Sequence, residues 1–545
     1  MDAKAEKLAL EAAQLQAEMS CFQSIWQQCA DHALPLRRLG FTQQGSSFNE
    51  DVRLQSDVAV DALNTLASGM TSWVTPSQQN WFQWEANESV TGSEAVNMWL
   101  ADCTARAHKA LANSNFYHAV HLGYLDLGAF GTVGLYAEEG KDRPLNFRCW
   151  HAGTFACAEN EQGTVDRVFR FFTLTAGQAV EQFGDGAPAV CKQDVDSNRR
   201  HNKHQFIHAV YPRDRKDRNP AGGPMGMPVA SCYLHQASKT IVKEEGFESL
   251  PVMVSRWLKW SEESPYGVSP AMLSIADIRG SNYLESLLAA MANLKVNPRV
   301  ITKTGAVGVV DLGPGGVTQV SDMGDAPQVW ADPSDYRVGM DLIDRVDGRI
   351  KRAFHMPLFE QFASLERQVT ATEVRARQAE QLARISPAFT LLTTDLINPL
   401  LERVFMILFL GGRFAQPPQE AFVQDAAGQW RLLYPQTIQI SRMSQAIEAQ
   451  KEHAFASTLE TFFPLIQAQP ELLDDWDLST AQRDIGRGKG VPSKYFRTLE
   501  DKAMMQQARA QAQQMAQQQE AITEAAVKNP ELAMQAAGAL GGAEA

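Results

Sequence analysis

The residues with the most obvious chemical potential are three histidines in the stretch RRHNKHQFIHAV: His201, His204 and His208. Imidazoles are common metal ligands, and on a helix such spacing would bring two rings to one face. The pattern from Gln205 to Tyr211, however, reads as a strand, in which His204 and His208 share a face without a third partner. A solvated basic edge is the simpler reading. The acidic pairs Asp194 with Asp196 and Asp474 with Asp475 have no histidine cluster beside them in sequence and read as turn residues. Glycine-rich stretches at Gly313 (GPGGV) and Gly486 (GRGKG) lack the GxxxxGK[ST] spacing that cradles phosphates at a helix N-terminus. No GxSxG or Cys-His nucleophile arrangement occurs in a recognisable context. The chain does not read as an enzyme, and no cofactor or metal is expected.

The seven cysteines (Cys21, Cys29, Cys103, Cys149, Cys157, Cys191 and Cys232) are odd in number and never spaced CxxC. They read as reduced, mostly buried thiols rather than a disulfide frame or a zinc site. A net charge of −13 opposes tight binding of nucleic acid, which depends on Lys and Arg neutralising phosphates. The N-terminal MDAKAEKLALEAAQLQ is too polar for an export signal, and the most apolar run, VFMILFL from Val404 to Leu410, is far short of the roughly 20 residues that span a bilayer. No membrane partner is expected.

Stepping of Leu8, Ala12, Leu15, Met19, Phe22, Trp26, Cys29 and Ala33 by four and three predicts a one-sided helix ended by Pro35. Further helices are predicted over 57–73, 94–113 and 117–127, with a short strand at QQNWFQWEA between the first two. From Gly131 to Trp260 the texture changes to short β runs broken by turns: VGLYAEE, LNFRCW, VDRVFRFFTLT, HQFIHAVYP, ASCYLHQ and LPVMVSRWLKW. An exposed hairpin loop is expected at YPRDRKDRNPAGGPMGM. Helices over 269–297 and 334–355 flank the glycine-rich β segment RVITKTGAVGVVDLGPGGVTQVSDMG. Then MPLFEQFASLERQ shows no clear period and reads as a loop.

The next helix has an unusually complete start signal. Thr370 can cap, Glu373 closes a capping box, and Val369 and Val374 suit a hydrophobic staple. Pro387 and Pro399 each remove a backbone donor farther on, so the element should bend. If straight, Ala371 to Gly411 would run roughly 60 Å, longer than one small domain needs. Beyond it come a polar linker, the strand TIQIS, more helix from Ser444, and a Gln/Ala-rich end that reads as frayed helix or disorder.

This order of elements, with the wording of six segments, resembles the portal (head-to-tail connector) proteins of short-tailed bacteriophages. The segments are VAVDALNTLASGMTSWVTPSQQNWFQWE, LDLGAFGTVGLYAEE, SRWLKWSEESPYGVSPAMLSIADI, VTATEVRARQAEQLARISPAFTLLTTDLINPLLERV, IQISRMSQAIEAQ and VPSKYFRTLED. The resemblance implies an elongated α+β subunit of a ring, usually of twelve, through which double-stranded DNA is packaged and ejected. It implies helices and a β-rich wing over 1–268, a first stem helix over 269–298, a small α/β clip over 299–333 and a second stem helix over 334–355. A channel loop comes next over 356–369, then the long kinked helix over 370–435, crown helices over 436–500 and a tail over 501–545. Leu358, Phe359, Glu360, Phe362, Glu366 and Arg367 become channel-loop candidates, and Lys295, Arg349, Lys351 and Arg352 basic channel-lining candidates. Leu284, Leu288 and Met291 become subunit-interface candidates. The implied partners are terminase, major capsid or scaffold protein and tail adaptor proteins, in the virion at the capsid vertex after assembly in the host cytoplasm. Rival readings are an adaptor that never lines the channel, or a nucleic-acid enzyme of the packaging machinery. If 299–333 is the rim that meets motor and tail, deleting residues 305–316 abolishes packaging and tail attachment; retained infectivity of the deletion phage would contradict it.

Overall fold

The computed structural model describes residues 3–35, 54–86, 94–296, 336–364, 371–424 and 430–445 except 141, 220–221 and 433, with 37, 300–301, 328–329 and scattered positions between 458 and 516. The fold class is α+β. Contacts divide the chain into two compact units, the larger made of Met1–Trp81, Arg106–Arg413 and Ser441–Lys451, the smaller of Phe82–Ala105, Phe414–Ile440 and Glu452–Ala545.

The chain begins with α1 (Ala3–His32) and α2 (Val58–Trp73), then β1 (Phe82–Glu85), α3 (Glu94–Ala112) and α4 (Phe116–Phe130). The apolar stripe of α1 is buried as its spacing requires: Leu8, Ala12, Leu15, Met19, Trp26 and Cys29 all face inward. Trp26 donates its Nε1–H to the carbonyl of Phe130 at 3.0 Å and meets Tyr266 edge-on, joining α1 to the end of α4. Nearly every residue of α4 is buried, so this is a core helix. It stops at Gly131, whose φ of 75° is left-handed and whose missing Cβ admits the carbonyl of Gly267.

Next come β2 (Thr132–Glu139), β3 (Leu145–Trp150), β4 (Phe155–Glu159), β5 (Val165–Thr175), α5 (Ala176–Phe183), α6 (Ala189–Asp196), β6 (Lys203–Pro212), β7 (Val229–His235), β8 (Thr240–Phe247) and β9 (Val252–Arg256). They form a three-stranded antiparallel sheet in the order β3-β2-β9 and a five-stranded antiparallel meander β4-β5-β6-β7-β8. The β-rich texture and the hairpin loop after Tyr211 are borne out. The edge strands β4 and β8 were not legible: β4 is alanine-rich and β8 carries Lys243, Glu244 and Glu245, charges that protect an edge and hide its alternation.

The remaining elements of the larger unit are α7 (Pro270–Val296), β10 (Val300–Ile301), β11 (Gln328–Val329), α8 (Tyr336–Ala353), α9 (Met356–Ser364), α10 (Ala371–Leu392) and α11 (Asn398–Leu410). Between α10 and α11, Thr393–Ile397 forms a π-helical turn. Pro399 has no N–H to offer the carbonyl of Asp395, and one wider turn is a common way to absorb such a loss. Pro387 sits inside α10. The VFMILFL run lies in α11, where Val404, Phe405 and Leu408 are core residues. Among the described residues no helix is long and apolar enough to cross a membrane.

In the smaller unit, β12 (Phe422–Gln424) and β13 (Trp430–Leu432) form a hairpin, and β14 (Gln436–Gln439) pairs with β1 from Phe82↔Gln439 to Glu85↔Gln436. Its aromatic core includes Phe82 against Trp84 and Trp84 against Phe414. Most of the crown and tail expectations fall outside the described residues.

One buried charge cluster ties the larger unit together. Arg256, at the end of β9 and 3% exposed, pairs with Glu159 of β4 and with Asp395 of the π turn at 2.9 Å, while Lys259 reaches Glu159 at 2.6 Å. Burial raises the Asp395 carboxyl above its usual range despite the nearby guanidinium. Arg256→Leu would leave two carboxylates without their main cation and should cost about 3–5 kcal/mol. The carboxyls of that variant would titrate higher in the folded than in the unfolded chain. Its deficit, read from urea unfolding, should therefore be largest at neutral pH and shrink as pH falls through the carboxylate range.

Candidate functional site

The sequence points to the helix pair α7–α8 and to the segment that leads from it into α10. The pair is antiparallel: Gly339 faces Leu288, Asp347 accepts from the Ser281 hydroxyl at 2.7 Å, and Arg349 grips Asp277. Small residues permit this approach; a Cβ on Gly339 would stand 3.1 Å from the Leu288 side chain. At the far end of the pair, β10 and β11 form a two-residue antiparallel ladder, Val300↔Val329 and Ile301↔Gln328. The rest of the 299–333 segment lies outside the described residues.

The structure redistributes the interface candidates. Leu284, Leu288 and Met291 are only half-exposed, and Leu288 and Met291 line a groove against Met340 and Ile343 of α8. They are committed at least in part within the chain. The exposed apolar side chains are others: Tyr283 (63% exposed), Leu287 and Leu294 fall on one side of α7 at spacings of four and seven, and Val338 and Leu342 on one side of α8. Periodicity alone could not separate the two stripes, because both are apolar.

The basic candidates also differ from one another. Arg349 is held by both oxygens of Asp277, at 3.1 and 2.6 Å, a bidentate pairing that raises its already high pKa. Its charge is answered within the chain. Lys351 and Arg352 are exposed in the last turn of α8, where the helix dipole favours cations, and Lys295 is exposed near the end of α7.

The expected loop after α8 is corrected: Met356–Ser364 is helix. Met356 and Phe359, three apart, with Leu358 beside them, give it an inward face, and Pro357 stands at a first-turn position that needs no N–H. Leu358 (1% exposed) and Phe359 (6%) are buried, while Glu360 is exposed. The Phe359 ring occupies the space over Gly69 of α2, where any Cβ would overlap it. As channel-loop candidates Leu358 and Phe359 are therefore wrong in one respect: they anchor the segment instead of facing a channel. Phe362 lies in the same helix, Glu373 is in the first turn of α10, and Glu366, Arg367 and Thr370 fall outside the described residues.

Between α8 and α9 the chain turns sharply at His355, a non-glycine residue with φ of 55°. Its imidazole lies against Trp257, with ring centroids 5.9 Å apart, and burial, helped by Arg384, pushes its pKa down to about 4. The ring is neutral near neutral pH, and the turn is fixed by packing.

Residues 5–496 match the family described as bacteriophage head to tail connecting protein. The chain belongs to that family. Among curated relatives, the probable portal protein of Bordetella phage BPP-1 is 27% identical over 519 residues, spanning 93% of this chain and 91% of the relative. The portal protein of Salmonella phage epsilon15 is 24% identical over 536 residues, spanning 94% and 93%. A solved virion of a native gene transfer agent particle matches with a TM-score of 0.36 at 13% identity, covering 78% of this chain and 88% of that one. The head-to-tail connector resemblance read from the six segments is borne out by the family match, and with it the phage structural character of the chain.

The anchoring of α9 in this connector protein can be tested directly. Phe359→Ala should lower stability by about 3–5 kcal/mol, the usual cost of emptying a buried aromatic site. Gly69→Ala should act in the same direction by driving the ring out, and the two changes together should cost less than their sum because the second Cβ fills space the first vacates. Thermal unfolding of the three variants measures this; strict additivity would refute the contact.

Proposed function

We propose that this chain is the portal subunit of a phage capsid vertex. Copies form a ring, twelve in the usual count, around a channel through which double-stranded DNA enters and leaves. In this reading α7 and α8 are the stem, residues 299–333 the clip, and the two sheets of the larger unit the wing. The observation that carries it, beyond family membership, is the apolar stripe of Tyr283, Leu287 and Leu294 on a helix already packed against α8 on another side. A contiguous exposed apolar face on a long charged helix pair calls for a partner, and a neighbouring copy supplies an equivalent stem.

The acidic balance supports passage over grip. A net charge of −13 per chain, repeated around a ring, keeps a duplex from adhering, while sparse cations such as Lys295, Lys351 and Arg352 touch phosphates transiently. Exposed Glu360 on α9, with Glu366 and Arg367 beyond it, are the residues proposed to meet the DNA. Terminase, capsid or scaffold protein and tail adaptor proteins are the proposed partners, in the host cytoplasm during assembly and then in the virion.

Electron microscopy of the purified chain should show rings with a central hole. Leu287→Asp should leave a folded, soluble subunit that no longer closes rings, because a charge placed in a dry interface goes unpaired. Leu288→Asp should instead destabilise the subunit itself by splitting α7 from α8. Normal rings from Leu287→Asp would overturn the stem-to-stem contact, and a compact monomer as the sole wild-type species would overturn the portal reading.

A further inference from the structure

Strand register in the five-stranded sheet brings together three ligands that the linear sequence keeps far apart. Alternation along β6 puts His204, Phe206 and His208 on one face, and the pairing of Phe206 with His235 puts His235 of β7 on that face too. The same face is covered by α5 and α6, whose Ala176, Ala179, Phe183 and Cys191 pack on Phe206 and Val242. Cys191 is thereby set beside the two imidazoles. One donor atom from each of Cys191, His204 and His235 lies within 4.8 Å of the other two.

We propose that Cys191, His204 and His235 bind one zinc-class divalent cation per chain, with the Asp194 carboxylate orienting His204 from outside the ligand set. A thiolate with two neutral imidazoles is a soft-to-borderline donor set, suited to Zn(II) and unsuited to Ca(II) or Mg(II), which take oxygens. Ligand distances of about 2.3 Å for sulfur and about 2.0–2.1 Å for nitrogen require the donors to close by only about 1 Å. Asp194 Oδ2 stands 3.0 Å from His204 Nε2 and is itself held by Asn202 at 3.1 Å, while Arg199 pairs with the other carboxylate oxygen. Ser238 Oγ stands 2.7 Å from His235 Nδ1. Each imidazole thus has one nitrogen engaged by an oxygen and another left for the metal, the usual outer arrangement of histidine ligands. Binding releases the thiol proton; thiolate and dication together carry one positive charge, answered by Asp194.

His208 is not part of the site. It is buried, hydrogen-bonded to the Ser231 hydroxyl at 2.8 Å and stacked on Tyr233 with centroids 4.1 Å apart. Burial pushes its pKa down to about 3. The cation would instead pin α6 to the sheet beside a core made largely of alanines and two phenylalanines, leaving a fourth position for water.

The test uses the full-length, untagged protein, stripped with chelator and titrated with Co(II) and then Zn(II). Binding of one Co(II) per chain with a thiolate-to-metal charge-transfer band in the near ultraviolet, displaced by Zn(II), is the expected result. Cys191→Ser should abolish the band, and Cys232→Ser should keep it. Asp194→Asn should weaken binding about 10–100-fold. Ring formation by each variant, seen by electron microscopy, reports that it has folded, and His235→Gln serves if Cys191→Ser does not fold. Absence of stoichiometric Co(II) binding, or a band that survives both Cys191→Ser and His235→Gln, would overturn the site.

Discussion

A guanidinium with almost no access to water sets the arrangement of the larger unit. Arg256 ends β9 and is matched by Glu159 from β4 and Asp395 from the π turn, so two strands and the long helix meet on one charge. Such a cluster adds less net stability than its Coulombic attraction suggests, because every member has been taken out of water. Its effect is a requirement that all members be present together. The next residue extends the tie: the Trp257 backbone N–H donates to the carbonyl of Gly131 at the end of α4, and its ring lies against His355. The end of one strand thus fixes the exit of the core helix α4, the turn into α9 and the wide turn before α11. The stem elements of the proposed portal are positioned from this point.

The interplay of charge and exposure on α7 and α8 obeys a consistent division. Polar groups between the two helices are answered internally, as Arg349 with Asp277 and Asp347 with Ser281 show. The outward surface is apolar on one side of α7 and mixed in charge elsewhere. A chain meant to stand alone would not leave Tyr283 more than half exposed on a helix of this length. The acidic total and the sparse exposed cations then describe a surface that tolerates a polyanion nearby without holding it.

Much of this was legible in the residues. The stripe of α1, the strands β2, β3, β5, β6, β7 and β9, the paired helices α7 and α8 and the proline-interrupted helix all have periodicities or breakers that local physics reads directly. The elements that were not legible have other determinants. For α5 a local signal exists, since Thr175 and Gln178 form a full capping box, each side chain bonded to the other's backbone N–H; but the TAGQ signature opens a helix of only eight residues, too short to show a period. The α9 helix is hidden because its inward residues are set by Gly69, far away in sequence. The Cys191, His204 and His235 cluster has no short-range spacing at all, since strand register and a helical cap create it. Local rules recover elements, whereas juxtapositions made by register become visible only in the folded chain.

The π turn at Thr393–Ile397 has a consequence for how this fold can vary. A π turn accommodates one residue more than the α-helical path would, so α10 and α11 are joined with a phase offset of about 100° relative to an uninterrupted helix. Losing one residue here, together with Pro399, would let the backbone bonds regularise, yet every side chain of α11 would swing to a new azimuth relative to α10. Val404 and Leu408 would leave the core, and Asp395 would turn away from Arg256. Length changes in this stretch are therefore constrained by rotation rather than by reach: a single-residue deletion disturbs the fold more than its small change in contour length suggests.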